Sequence, residues 1–239
     1  GFDGTLLDEA FERRLRALPL AGLILFCRNV ESLSQTRALT DRLREVYDNP
    51  IIAIDQEGGR VARLRDSVEE LPPMLAVAAT EDTTLAYRAG EQLGFDLRRA
   101  GVNVDYAPVL DLALFRKNIV IGARSFGDDP ERVARLAGAL ADGLRAQGIV
   151  PTFKHFPGHG STDVDSHLDL PAVDLEESTL RARDLAPFAK LLPGAEAVMT
   201  AHLVVRSLDG ERPATISPHI LTDVLRDEIG FKGVCFTDC

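Results

Sequence analysis

The chain has 239 residues, of which 45% are hydrophobic and 27% charged, and it carries a formal net charge of −10 with a pI near 5.0. That apolar content suffices for a sizeable core, and the acidic balance, with no basic cluster interleaved with aromatics, argues against a nucleic-acid partner. No apolar run approaches the ~18 residues of a membrane span, and the first residues lack the basic-then-apolar pattern of a secretion signal, so no membrane partner is expected.

Six apolar runs of strand length recur, at residues 22–26, 51–54, 102–109, 149–153, 197–199 and 233–236. Between them apolar residues repeat with helical spacing. After Ser34 they fall at Leu39, Leu43, Val46 and Tyr47, and after Asp82 at Leu85, Ala86, Ala89, Leu93 and Leu97. Asp129-Pro130-Glu131 opens a helix through Val133, Leu136, Ala137, Leu140 and Leu144, with Gly148 as its stop. Ser217-Pro218 opens another, through Leu221, Val224, Leu225 and Ile229, stopped by Gly230. Residues 176–192 are also helical in pattern, with Pro187 expected to break or kink them. Neither a low-complexity tract nor a shift in composition marks a linker, so one domain is expected over 1–239.

Alternating strands and helices imply an α/β fold with a parallel sheet. Nearly every run ends in polar, chemically useful residues: Arg28-Asn29, Asp55-Gln56-Glu57, Asp111, Lys154-His155, Thr200-Ala201-His202 and Thr237-Asp238. A TIM (β/α)8 barrel collects its active site from all its C-terminal strand ends, whereas a doubly wound sheet uses those at its switch point. Six contributing ends favour the barrel. Its two other strands are expected before Gly1 and after Cys239, so the sequence reads as a barrel missing parts at both ends.

The densest chemistry lies between Lys154 and His167, where three of the five histidines, one lysine and two acids follow a short apolar run. Asp165-Ser166-His167 places a carboxylate two residues from an imidazole, and an Asp that holds a His in one tautomer makes it a usable general acid/base near neutrality. His155, His159 and His167 could instead hold a metal, but Pro157 and Gly158 oppose the helix on which His155 and His159 would share a face. The spacing therefore disfavours a metal site there. Asp55 to Arg63 sets an acid at a strand tip, a glycine turn and two arginines. Asp or Glu there can accept hydroxyl hydrogen bonds from a sugar, and the alternative is a salt-bridged turn. Arg124, in Ile121-Gly122-Ala123-Arg124-Ser125-Phe126-Gly127, can grip a carboxylate, amide or hydroxyl, or be structural. Asp238 at the last strand tip can attack an anomeric carbon, or cap a following helix. Cys27, Cys235 and Cys239 lack metal-ligand spacing and read as buried thiols in a reducing compartment.

Residues 154–167 resemble the K-H-F-P-G-H-G-x-T-x-x-D-S-H signature of glycoside hydrolase family 3, in its β-N-acetylhexosaminidase branch. Ile54-Asp55-Gln56-Glu57-Gly58-Gly59-Arg60-Val61, Ile121-Gly122-x-Arg124-Ser125-Phe126-Gly127, Met199-Thr200-Ala201-His202, Pro213-Ala214-Thr215-x-Ser217 and Gly233-Val234-x-Phe236-Thr237-Asp238 extend the likeness over nearly the whole chain. The resemblance implies a TIM-barrel retaining β-glycosidase that releases non-reducing-end β-linked N-acetylglucosamine from muropeptides during cell-wall recycling. It implies Asp238 as nucleophile, His167 oriented by Asp165 as acid/base, and Asp55, Arg63, Arg124, Lys154 and His155 as residues that hold the sugar. It also implies a small-molecule glycan substrate and no metal or organic cofactor; a cytoplasmic monomer is expected. The stretch 111–121 departs from the family, which usually has a Pro-rich loop there. The alternatives are a family 3 β-glucosidase, a non-catalytic sugar-binding barrel and a metal-dependent hydrolase.

Overall fold

The structure is a computed structural model that describes residues 1–114, 118–162 and 170–238. In chain order the elements are α1 (Glu9–Ala17), β1 (Gly22–Leu25), α2 (Leu33–Val46), β2 (Ile51–Ile54), β3 (Gln56–Gly58), β4 (Val61–Ala62), α3 (Met74–Ala78), α4 (Thr83–Ala100), β5 (Val104–Asp105) and α5 (Pro130–Ala146). They continue as β6 (Val150–Phe156), β7 (Ala172–Val173), α6 (Glu177–Ala182), α7 (Ala186–Leu191), β8 (Ala197–Thr200), β9 (Val204–Val205), α8 (His219–Glu228) and β10 (Val234–Thr237).

Helices α2, α4 and α5 start where a side chain can satisfy a first-turn amide. Ser32 accepts from the Gln35 N–H (3.1 Å), Asp82 from Thr84 (2.7 Å) and Asp129 from Arg132 (2.7 Å). Helix α4 ends at Gly101, whose φ of 76° needs a residue without a Cβ. The segment 176–192 does break, but upstream of the proline: α6 stops at Ala182, and Pro187 sits in the first turn of α7. A proline costs a helix nothing there, because first-turn amides have no intrahelical acceptor. Helix α1 escapes the sequence pattern because few of its residues are apolar; it is anchored by one buried residue, Leu15, and capped by Asp8. The run 102–109 is in strand register only over Val104–Asp105. Pro108 has no N–H to donate, and pairing resumes at the Val109–Lys154 bridge.

The main sheet runs β1-β2-β5-β6-β8-β10, with every neighbouring pair parallel. Spatial order equals chain order, so there is no switch point and the sheet is not doubly wound. Nor is it flat. Laid flat, six strands would set β1 and β10 about 24 Å apart. Instead Ile24 of β1 and Phe236 of β10 join Ala53, Val104, Tyr106, Val150 and Met199 in one apolar cluster, and the Tyr106 and Phe236 rings lie 5.3 Å apart. The strands thus curl into a half-barrel with that cluster on the concave side and the helices and main core on the convex side. Side chains alternate along a strand. Two residues beyond Ala53 comes Asp55, and two beyond Phe236 comes Asp238, so both acids stand over the inner cluster at the C-terminal strand ends.

Helices α4 and α5 touch backbone to backbone. A Cβ built on Gly90 would lie 2.0 Å from the Leu140 carbonyl oxygen, and one on Gly143 would lie 2.1 Å from that of Tyr87. Alanine normally favours a helix over glycine by about 1 kcal/mol, but overpacking of this kind costs about 1–3 kcal/mol or more. Gly143→Ala is therefore expected to lower stability, read as a lower urea midpoint. A midpoint equal to or above the parent's would show that the helices part without cost.

Candidate active site

The six described residues singled out from the sequence, Asp55, Arg63, Arg124, Lys154, His155 and Asp238, line one cavity of ≈ 190 Å³ at the C-terminal ends of the strands. His159 joins them. The pair Asp165 and His167 lies outside the described residues. A larger groove of ≈ 720 Å³ crosses the outer face of α5, but its charges answer one another: Arg132 and Arg135 pair with Glu81, and Lys190 with Glu131.

The centre of the cavity wall is the Lys154 ammonium, 1% exposed, held 2.8 Å from Asp55 Oδ1 and 2.6 Å from Glu57 Oε1. Glu57 also accepts from Arg124 on both oxygens, at 2.7 Å each, the two-pronged geometry that suits a guanidinium. Arg63 reaches Asp55 Oδ2 at 3.4 Å. Its Nε is buried with no hydrogen-bond partner among the described residues.

Local structure brings these groups together. The Gly58-Gly59 turn, with φ of 93° and 56°, folds β4 back on β3. A Cβ on Gly59 would meet Pro73 at 2.8 Å. The Gln56 side-chain oxygen then accepts from the Arg63 and Leu64 amides, at 2.8 and 3.1 Å, which seats Arg63 beside Asp55.

Asp111 organises the other wall. It is 1% exposed and accepts at 2.6 Å from His155 Nδ1 and at 2.6 Å from the His159 N–H. With Nδ1 committed, His155 turns Nε2 toward Arg124 Nη2 (3.5 Å) and Asp238 Oδ2 (4.0 Å). His159 pairs its Nδ1 with the Thr162 hydroxyl at 2.9 Å. Asp238 continues the ladder, its N–H donating to the Thr200 carbonyl at 3.2 Å, and its side chain is 16% exposed.

The charges follow from these contacts. Burial alone would raise the Asp55 and Glu57 carboxyls, but Lys154 and its neighbouring arginines outweigh it, lowering Asp55 and holding Glu57 at about 2. Burial pulls Lys154 down, and Asp55 and Glu57 more than restore it. Burial likewise raises Asp111, and His155 overrides it, so the carboxyl ends below its usual range. His159 is pushed down, chiefly by burial.

The sequence leaves Asp111 without a role, offers His159 only as a metal ligand and Glu57 only as an alternative to Asp55 as a sugar acceptor. Glu57 had a readable signal: it follows Asp55 by two residues in extended chain, the spacing that returns a side chain to the same face. Asp111 and His159 gave none beyond their place near strand ends. The buried-thiol reading fails for Cys27, which is exposed because it opens the turn beyond the end of β1. Cys235 is half-buried, and Cys239 lies outside the described residues. Among the described residues no three His, Cys, Asp or Glu side chains gather closely enough to hold a metal ion.

Replacing Glu57 by Gln removes the charge that Lys154 and Arg124 share. Breaking a buried pair of this kind costs about 3–5 kcal/mol. The folded-state pKa of Glu57 is depressed, so its contribution is present in full above the unfolded value of 4.5 and is lost as pH falls toward about 2. Urea unfolding of Glu57→Gln and parent should differ by that amount near neutrality, with the gap narrowing by about pH 3.5. A gap that widens in acid would refute the shared-charge account.

With this geometry in hand, known proteins were compared. The Glycosyl hydrolase family 3 N terminal domain matches residues 7–239. A protein of Pseudomonas aeruginosa named Beta-hexosaminidase is 41% identical over 238 residues, covering 98% of this chain and 70% of its own length. Among solved structures, NagZ of Neisseria gonorrhoeae in complex with N-trifluoroacetyl-D-glucosamine superposes with a TM-score of 0.93 at 39% identity, over 99% of this chain and 72% of the other. A glycoside hydrolase family 3 β-N-acetylglucosaminidase of Paenibacillus sp. gives 0.97 at 38% identity, over all of this chain and 47% of the other. The chain thus spans about 70% of the curated relative and less than half of the Paenibacillus protein. It belongs to glycoside hydrolase family 3, in its β-N-acetylhexosaminidase branch.

Proposed function

We propose that this chain is the catalytic domain, over 1–239, of a retaining β-N-acetylglucosaminidase on a closed TIM (β/α)8 barrel, with Asp238 as nucleophile. The observation that carries the reading is the convergence of two partly exposed carboxylates, Asp55 and Asp238, with Arg63, Arg124, Lys154 and His155 around a single cavity. Lys154 spends two of its three N–H groups on Asp55 and Glu57, which leaves one for a sugar hydroxyl. The buried, unpartnered Nε of Arg63 is a second donor that a ligand would satisfy. Arg124, His155 and Asp55 complete the hydrogen-bonding surface for the N-acetylglucosamine ring.

In the first step an Asp238 carboxylate oxygen bonds to the anomeric carbon as the bond to the leaving oxygen breaks, and that oxygen takes a proton from His167. In the second, water attacks the anomeric carbon, His167 receives its proton, and the bond to Asp238 breaks. Retaining enzymes usually pair the nucleophile with a second carboxyl group as the acid. The lowered carboxyls of Asp55 and Glu57 suit neither for that duty, because a general acid must hold its proton near the working pH. His159 is also a poor donor, since burial favours its neutral form. His167, oriented by Asp165, is the acid/base that the family resemblance implies. A muropeptide substrate and a role in peptidoglycan recycling follow from the family resemblance; a cytoplasmic site of action rests on the sparse, unpaired cysteines, and a monomeric state is part of the same proposal.

The test is trapping of the full-length protein with a 2-acetamido-2-deoxy-5-fluoro-glucosyl donor, followed by peptide mass spectrometry. A glycosyl adduct on Asp238 is expected. An adduct on another carboxylate overturns the nucleophile, and binding without an adduct or turnover favours a sugar-binding barrel. His167→Ala should lower kcat by about 10²–10⁴ while N-acetylglucosamine still binds. Unchanged turnover of a natural disaccharide would remove His167 from the mechanism.

A further inference from the structure

Asp105, the last residue of β5, is fully buried at 0% exposure. Its Oδ1 accepts from the Gln56 N–H at 3.0 Å. Its Oδ2 is buried and has no hydrogen-bond partner among the described residues. The Lys154 ammonium, the cation of this wall, is 2.8 and 2.6 Å from Asp55 and Glu57, and no ion pair to Asp105 occurs among the described residues. A lone buried carboxylate in such a place costs several kcal/mol, and a carboxyl group escapes that cost by keeping its proton.

The one hydrogen bond that Asp105 does accept falls at a critical peptide. Gln56 stands between Asp55 and Glu57, where β2 ends and the β3–β4 hairpin begins. The two carboxylates that clamp Lys154 flank the amide that Asp105 fixes. We propose that Asp105 is a positioning residue of this site: a neutral carboxylic acid that pins the Gln56 amide and so sets the spacing of Asp55 and Glu57 around Lys154. Its link to ligand binding rests on the sugar-binding reading of the cavity given above.

The charges around Asp105 agree. Burial drives its carboxyl well above the usual range, Asp55 and Glu57 push it further, and the Gln56 amide and Lys154 oppose them without prevailing. An ionised Asp105 would add a third carboxylate beside Asp55 and Glu57, one that makes no ion pair with Lys154, Arg63 or Arg124.

The test compares parent, Asp105→Asn and Asp105→Ala in the full-length chain. Asparagine mimics the neutral acid and keeps an acceptor for Gln56; alanine removes it. A folded pKa raised above the unfolded value destabilises the parent as pH rises from the unfolded pKa toward the folded one. Asp105→Asn should therefore melt level with the parent near pH 4 and progressively above it toward neutrality. The parent should also carry a protonated-carboxyl infrared band near neutral pH that Asp105→Asn lacks. A Tm difference that is flat, or that turns against Asn with rising pH, means that Asp105 is ionised and overturns the proposal.

For positioning, N-acetylglucosamine affinity is measured on the same proteins. Asp105→Asn should bind within about threefold of the parent, while Asp105→Ala should bind about tenfold more weakly, the cost of one lost buried hydrogen bond. Equal affinity in all three overturns the positioning role. A parent that binds no N-acetylglucosamine overturns the sugar reading and the positioning role with it. The melting and infrared comparison needs no ligand and still decides the protonation of Asp105, also where Asp105→Ala fails to fold.

Discussion

The site depends on one buried ammonium. Taking Lys154 out of water costs several kcal/mol even after relaxation. A contact near 2.7 Å at an effective dielectric of ~20 returns about 6 kcal/mol. One carboxylate would therefore leave the lysine only marginally charged, and two make its charge secure. Each carboxylate has in turn a second cation, Arg63 on Asp55 and Arg124 on Glu57. The result is a wall of fixed charges in which every member is paired with another. Such a wall does not reorganise when a ligand arrives, which is the property that lets fixed dipoles and charges act strongly on a reacting sugar.

The half-barrel supplies the geometry for that wall. Asp55, Lys154 and Asp238 come from three different strands and are up to 183 residues apart in sequence. Parallel strands in chain order send all their C-terminal ends the same way, and curvature brings those ends over one inner cluster. The concave face changes character along its length. At the level of Ala53 and Phe236 it is apolar; two residues further it carries Asp55 and Asp238. The apolar layer excludes water from beneath the charges, which is what gives the ion pairs their strength.

Much of this was legible in the sequence, for identifiable reasons. The strand 51–54 was read to the residue because an apolar run ends abruptly in Asp55. Helices α4 and α5 were legible from caps and 3.6-residue spacing. The rim residues were legible because polar groups at strand tips have few structural uses. What stayed hidden was partnership. Glu57 looks like any acid in a turn until the hairpin folds it onto Lys154 and Arg124. Asp111 is a strand-end acid until β6 brings His155 beside it. Pro187 reads as a breaker, yet the break comes earlier because a first-turn proline is tolerated. Cys27 reads as part of an apolar strand, yet the strand ends two residues before it. These are facts about contacts between segments distant in sequence, and no local pattern encodes them.

The division of labour between carboxylates follows from the same contacts. Five acids surround or underlie the cavity, and only their neighbours differ. Asp55 and Glu57 are pinned in the charged state by cations, which fits them to hold and unfits them to donate protons. Asp111 is committed to orienting His155 and anchoring His159. Asp105 has no cation in contact and sits under full burial, which favours its proton. Asp238 faces the cavity with partial exposure, its Oδ2 4.0 Å from His155 Nε2. The carboxyl groups in and beneath this cavity thus differ in setting, and each setting is fixed by which cation, amide or imidazole the fold places against it.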